Sequence, residues 1–362
     1  MATTTYRFKR PSPFFILLGL VLIRSGSRPE CLNAQSQNTA PGPRVISSSS
    51  GPYSTIALEP ISPPPPVMMP QVSRSGAGLT IIPTFNSTGA TSIDAATQTV
   101  INNAIAFYQN TFTDNITVNI EFHNMSSGLG QSIAFIFSVP YSTYCTALAA
   151  NATSPDDITA VANTPCASTN PINSNANIGV KSPNGRALGI NTPEQPFRGA
   201  CPTASFTGSG CIGLNVAEAN SLGVLFSTVE HEIDEVLGLS SALNGTTTPA
   251  MPWTEDLFRW HTAGTRSYAA DPSTANPCGA STPAAFFSID GGTTDLDDFN
   301  NCANGGDYGD WITHTPSQVQ DAFTNSSATP SLTVTSPEVR ALDVIGYNIV
   351  ASKHRRGQIT SQ

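Results

Sequence analysis

The chain of 362 residues is short of charge, and of positive charge above all: 11% of residues are charged, with 16 Lys and Arg against 25 Asp and Glu, a net charge of −9. Phosphate recognition needs clustered Lys and Arg, so this composition excludes a nucleic-acid partner. The late basic cluster "KHRRGQ" (353–358) reads as a solvated end, and residues 351–362 are expected to form a disordered basic tail. Long apolar runs are missing too. "FFILLGLVLI" spans ten residues, Phe14–Ile23, and no later stretch reaches the ~18 apolar residues that a spanning helix takes. No stable membrane anchor is therefore expected. Histidine is scarce, with five in all: His123, His231, His261, His314 and His354. There is no C-x-x-C pair, which argues against a Cys-rich zinc site. There is no G-x-S-x-G elbow, which leaves Ser/His/Asp catalysis without support. "NGRALG" (184–189) is too poor in glycine to cradle phosphate.

What is present begins with an export signal. Arg7, Lys9 and Arg10 precede the apolar run, the layout of a secretion signal. Residues 1–34 are read as a signal peptide, with Ala34 before Gln35 at "CLNAQ" as the cleavage point. That segment holds five basic side chains and one acid, so its removal takes the charge from −9 to −13. The expected location is secreted, periplasmic or extracellular. Of seven cysteines, Cys31 leaves with the signal. The remaining six lie as neighbours, and an even number in an exported chain points to disulfides. The sequential pairing Cys145–Cys166, Cys201–Cys211 and Cys278–Cys302 closes three short loops in polar, Gly- and Pro-rich sequence.

Residues 35–78 are rich in Ser and Pro and poor in large apolar groups, so they are expected to be a disordered leader. A folded domain is expected over 79–350. "LTIIPTF" (79–85), "ITVNIEF" (116–122) and "QSIAFIFSV" (131–139) read as strands, and "NIGVKS" and "CIGLNV" as short ones. Apolar residues at helical spacing predict a helix over 92–112 capped by Ser92, and shorter helices at 142–150 and 155–163. A long helix is predicted over 221–239, and "SPEVRALDVIGY" (336–347) reads as a capped helix running into a strand. This order, with an irregular disulfide-tied C-terminal part, gives an α+β domain with a small mixed sheet.

The chemistry sits in "TVEHEIDEVLG" (228–238). Residues four apart share a helix face, so His231 and Glu235 can grip one metal ion. Glu232, one step round, would stand beside a water that the metal activates and take its proton. The usual motif of this kind has histidine at the fifth position; here it is Glu235, a carboxylate that binds zinc at similar distances. A His-plus-carboxylate site also suits manganese. Four acids, Glu230, Glu232, Asp234 and Glu235, cluster without basic neighbours in sequence on a helix with an apolar face, a pattern that calls for a cation. A third ligand is expected from "TEDLFRWH" (254–261), where Asp256 and His261 compete; Asp256 also reads as a helix cap.

"TVEHEIDEVLG", "EDLFRW", "FFSIDGGTTDLDDFNN", "GGDYGDW" and "VRALDVIGY" occur in an order that resembles a family of secreted bacterial zincin-like metalloproteases, over roughly residues 79–348. The resemblance implies a zincin-like domain, with His231 and Glu235 as ligands and Glu232 as base. "DLFR" then favours Asp256 as third ligand. The acidic stretch 289–311, with Asp290, Asp295, Asp297, Asp298, Asp307 and Asp310, offers oxygen ligands for calcium or simply a turn-rich surface loop. The function expected is a monomeric, secreted, metal-dependent peptidase, with zinc or manganese as the metal, acting on protein or peptide. The alternative is an inactive secreted binding or adhesin-like protein on the same scaffold.

Overall fold

The computed structural model describes residues 45–47, 55–61 and 78–350, except 204, 246–247, 273, 275–284 and 325–328. The expected signal peptide, most of the leader and the basic tail lie outside the described residues.

The β-branched and alternating runs form a seven-stranded mixed sheet. Its strands are β1 (Val45–Ser47), β2 (Thr55–Ile61), β3 (Thr80–Phe85), β4 (Thr117–Asn124), β5 (Gly130–Pro140), β6 (Asn177–Lys181) and β9 (Gly210–Leu214). β7 (Gln195–Pro196) and β8 (Thr207–Gly208) make a separate two-stranded pair. The order is β1-β2-β5-β9-β4-β3, with β6 also paired to β5. β5 runs parallel to β2 and antiparallel to β9 and β6, while β4 runs parallel to both β3 and β9. β1 and β2 fall within the stretch expected to be disordered. "TIALEPI" carries the β-branched and apolar residues a strand needs, and its backbone follows β5 from Thr55↔Ser132 to Ile61↔Phe137.

The helices are α1 (Ala95–Thr111), α2 (Tyr141–Asn151), α3 (Pro155–Ala162), α4 (Ser182–Ala187), α5 (Val216–Leu222), α6 (Leu225–Leu237) and α7 (Pro337–Ile345). α1 is capped by Asp94 rather than Ser92, its carboxylate accepting from the Thr97 amide at 2.7 Å. α3 opens on a capping box of Ser154 and Asp157. The long helix expected over 221–239 is two helices. Gly223 adopts φ +73°, a left-handed conformation that closes α5. α6 then starts afresh and lies across β5 and β9. A Cβ at Gly210 would stand 2.5 Å from Val236, and one at Gly130 would stand 2.1 Å from Glu232 Oε1. Glycine at these two positions is what lets the helix sit this close to the sheet.

The C-terminal part, expected to be irregular, holds a four-stranded antiparallel sheet of β10 (Arg259–Thr262), β11 (Thr265–Arg266), β12 (Phe286–Phe287) and β13 (Asp297–Asp298), in the order β11-β10-β12-β13. Phe258, Phe287, Phe299 and Trp311 pack ring against ring beneath it. After α7 the chain makes a single bridge, Ile349 to Phe112, in place of the expected strand. Two disulfides close as the pairing predicts, Cys145–Cys166 and Cys201–Cys211. Cys302 is also disulfide-bonded, and Cys278 lies outside the described residues. No helix of the described residues is long and apolar enough to cross a membrane.

Candidate metal centre

α6 is amphipathic by composition yet buried almost all round: every residue from Leu225 to Leu237 except Phe226 is inside. Five of them are ionisable. Burying a charge is costly unless something compensates it, so each side chain must be accounted for.

His231, Glu232 and Glu235 bring one ligand atom each within 4.8 Å of one another. His231 donates from Nδ1 to the Val319 carbonyl at 2.9 Å. That fixes the tautomer and turns the Nε2 lone pair toward the carboxylates, the arrangement usual for a metal-binding imidazole. Nε2 lies 3.8 Å from Glu235 Oε1 and 3.6 Å from Asp310 Oδ1. Burial lowers the His231 pKa, favouring the neutral form that a metal requires. Glu235 accepts at Oε2 from Ser132 Oγ of β5 at 2.7 Å, and its Oε1 has no hydrogen-bond partner among the described residues. Neither oxygen of Glu232 has one. Burial, then the Glu235 charge, pushes Glu232 well above the ordinary carboxylate range. Asp310 is pushed the same way by burial and then by Asp307.

Asp310 is the residue that sequence reasoning placed elsewhere. It was one of six acids in a stretch read as a calcium site or a surface turn. The chain instead folds it back onto α6. Its Oδ1 accepts from Gln320 Nε2 at 3.0 Å, and its Oδ2 has no partner among the described residues. The loop that carries it is pinned by Arg259 of β10, which donates to the Tyr308 carbonyl and, at 2.8 Å, to Asn301 Oδ1. Arg259 also lies over the Phe299 ring, 4.4 Å from its centre. The other acids of the stretch do not converge on a common cation site among the described residues. Asp290 closes its own turn on Ser288, Thr293 and Thr294. Asp297 faces His314 Nε2 at 3.0 Å.

Neither expected third ligand joins the group. Asp256 is buried, but its carboxylate is occupied as a cap: it accepts from Ser241 Oγ, from the Ala242 amide at 3.0 Å and from the Trp253 amide at 2.8 Å. His261 sits half-buried on β10, outside the group. The "DLFR" stretch thus serves the site indirectly, Asp256 through its own turn and Arg259 through the Asp310 loop.

Lys181, at the end of β6, is a second residue the sequence did not reveal. It is buried, with Nζ donating to the Glu235 backbone carbonyl. Burial pulls its pKa down to about 8 even though Glu235, Glu255, Asp307 and Glu232 oppose that. Lys181 and the buried Arg259 are outnumbered by the carboxylates that act on them. Burial, then the Asp256 charge, raises Glu255 well above its usual value against the opposing charges of Arg259 and Lys181. Carboxylates taken out of water keep their protons unless a cation stands beside them. The donor set, one imidazole with several unpartnered carboxylate oxygens, fits a divalent cation such as zinc or manganese.

Among the described residues a second group of three also has ligand-like spacing: Glu121, His123 and Cys211, on the sheet itself. Compared with known proteins, the chain matches no family model, no curated protein and no solved structure.

Proposed function

We propose that the chain is a secreted, metal-dependent peptidase on a zincin-like scaffold, with His231, Glu235 and Asp310 holding the ion and Glu232 serving as general base. One observation carries this reading: His231, Glu232 and Glu235 converge within 4.8 Å on a buried helix, and the oxygens they turn toward one another lack protein donors among the described residues. A zinc or manganese ion held there supplies Lewis acidity, lowering the pKa of a water and polarising a carbonyl.

The remaining chemistry belongs to the side chains. Val319 and Ser132 hold His231 and Glu235 by the atoms that face away from the centre. Glu232, with a carboxylate oxygen within 4.8 Å of the ligand atoms of His231 and Glu235, is placed to accept a proton from a water at the centre and return it to a leaving amine. The disulfides fit a chain that works in an oxidising compartment.

A second reading, an inactive scaffold that keeps its ion for structure, is favoured by the complete burial of His231, Glu232 and Glu235. Elemental analysis and hydrolysis of a quenched-peptide library, on wild type and Glu232→Gln, separate the two. A peptidase keeps its metal in both proteins and loses hydrolysis by about 10²–10⁴-fold in the variant. Metal in both with hydrolysis in neither supports the inactive scaffold. Absence of bound metal overturns both readings.

A further inference from the structure

The group on the sheet is built from two neighbouring parallel strands. Glu121 of β4 is in register with Cys211 of β9, and His123 with Gly213. Side chains alternate along a strand, so Glu121 and His123 share a face. Gly210 faces α6, where its Cβ would meet Val236, so Cys211 points to the opposite side of the sheet. The two groups are therefore on different faces and share no residue.

Three observations mark this second place as built to hold something. Cys211 Sγ lies 3.6 Å from His123 Nδ1. Glu121 is fully buried, with Oε1 accepting from the Thr203 amide at 3.1 Å and Oε2 without a hydrogen-bond partner among the described residues. Cys201 is bonded to Cys211 with their Cα atoms 6.0 Å apart, so the other sulfur is already at the site. Cys201, Cys211, His123 and Glu121 make a donor set of two sulfurs, one nitrogen and one oxygen. Four such ligands are what a structural zinc ion takes.

We propose that the Cys201–Cys211 disulfide is the oxidised form of a zinc site, and that reduction opens it to bind one divalent cation through Cys201, Cys211, His123 and Glu121. The reductant is a dithiol. It gives two electrons to the disulfide and becomes a disulfide itself, leaving two thiols on the protein. Each thiol releases its proton as its sulfur binds the cation. In the oxidised chain both sulfurs are committed to each other. The redox state of this one bond thus decides whether the loop that carries Cys201 is tied to β9 covalently or by an ion.

Cobalt(II) is the probe, because a thiolate ligand gives it an intense charge-transfer band and the α6 centre contains no sulfur. The full chain is titrated with cobalt(II), oxidised and after anaerobic reduction by a phosphine that is then removed. The band is expected in the reduced chain alone, saturating near one equivalent. It is expected to vanish in a Cys201→Ser, Cys211→Ser double variant, and to need at least ten-fold more cobalt in His123→Gln. His123→Gln forms its disulfide before reduction, so it decides the matter should the double variant not fold. A reduced wild type without the band overturns the proposal. So does a band indifferent to these substitutions, which would come from other cysteines. Circular dichroism showing that the reduced chain unfolds even with cobalt present would overturn it as well.

Discussion

α6 has two acidic sides, and they solve the same problem differently. On one side Glu230 accepts from the Leu332 amide at 3.1 Å, and Asp234 accepts from Tyr108 Oη at 2.9 Å. Tyr108 also donates to the Glu230 carbonyl. Burial raises Glu230 to about 7 and Asp234 well above its usual value, which favours the neutral form of both in a hydrogen-bonded core. On the other side Glu232 has no donor at all among the described residues, and Glu235 and Asp310 each keep one bare oxygen. Both sides are buried and both are acidic. Asp234 too keeps one bare oxygen, Oδ2, so what differs is that Glu232 has no partner on either oxygen among the described residues and that Glu235 and Asp310 stand beside an imidazole. A buried carboxylate with its donors is structure, and one whose oxygens are left toward an imidazole is set up for a cation.

The comparison breaks most sharply at the third ligand. Asp310→Asn is expected to lower metal affinity by more than ~100-fold, since a missing ligand costs more than the 10–100-fold typical of its supporting partners. Asp256→Asn is expected to leave metal content unchanged and to lower stability by about 1–3 kcal/mol, because it disturbs buried backbone donors. Metal analysis beside urea melts reads both. The reverse pattern would return the third ligand to the 254–261 stretch.

Gly130→Ala tests whether the bare position of Glu232 matters. The new methyl would fall 2.1 Å from Oε1, so the carboxylate has to move. Bound metal is expected to persist, hydrolysis to fall by about 10–100-fold, and stability to drop by about 1–3 kcal/mol. Metal loss instead would make Glu232 a ligand. Ser132→Ala is gentler. It removes the 2.7 Å bond to Glu235 and leaves every proposed ligand in place. Metal affinity is expected to weaken by about 10–100-fold, measured by competition with a chelator. An unchanged affinity would mean that Glu235 is oriented by α6 alone.

How much of this was legible in the sequence depends on how local each feature is. His231 and Glu235 were readable because a helix repeats within four residues, and strands β3, β4 and β5 because alternation does. The break at Gly223 was less so, since an apolar pattern ran across it and one glycine carries little weight against that. Two-residue strands such as β12 and β13 have no pattern to read. Asp310 was visible only as one acid among six, because no spacing rule links it to α6 across the intervening chain. Its placement depends on Arg259 gripping the Tyr308 carbonyl, a contact of the folded state. Lys181 lies in "NIGVKS", read only as a short strand, and its burial is likewise a property of packing. Asp256 reads as a ligand candidate that could also be a cap, and its three donors show it to be occupied as a cap.

The quieter side of α6 makes the smallest prediction, one about pH. Glu338 of α7 belongs to that side, where its charge acts on both Glu230 and Asp234. It is buried and accepts from the Gln320 amide at 3.0 Å. Burial raises its pKa from 4.5 to about 7. A carboxyl raised on folding stabilises the fold fully below its unfolded pKa, and that contribution is lost as pH climbs through the folded value. Wild type should therefore lose stability between pH 4.5 and 7 in part through Glu338. Glu338→Gln cannot ionise in either state, and its amide oxygen can still accept from Gln320. The variant should match wild type near pH 4.5 and gain on it by about 1–3 kcal/mol at pH 8, read from urea melts at the two pH values. Parallel curves would mean that Glu338 is charged in the fold, and that this side too relies on a counter-charge rather than on protons.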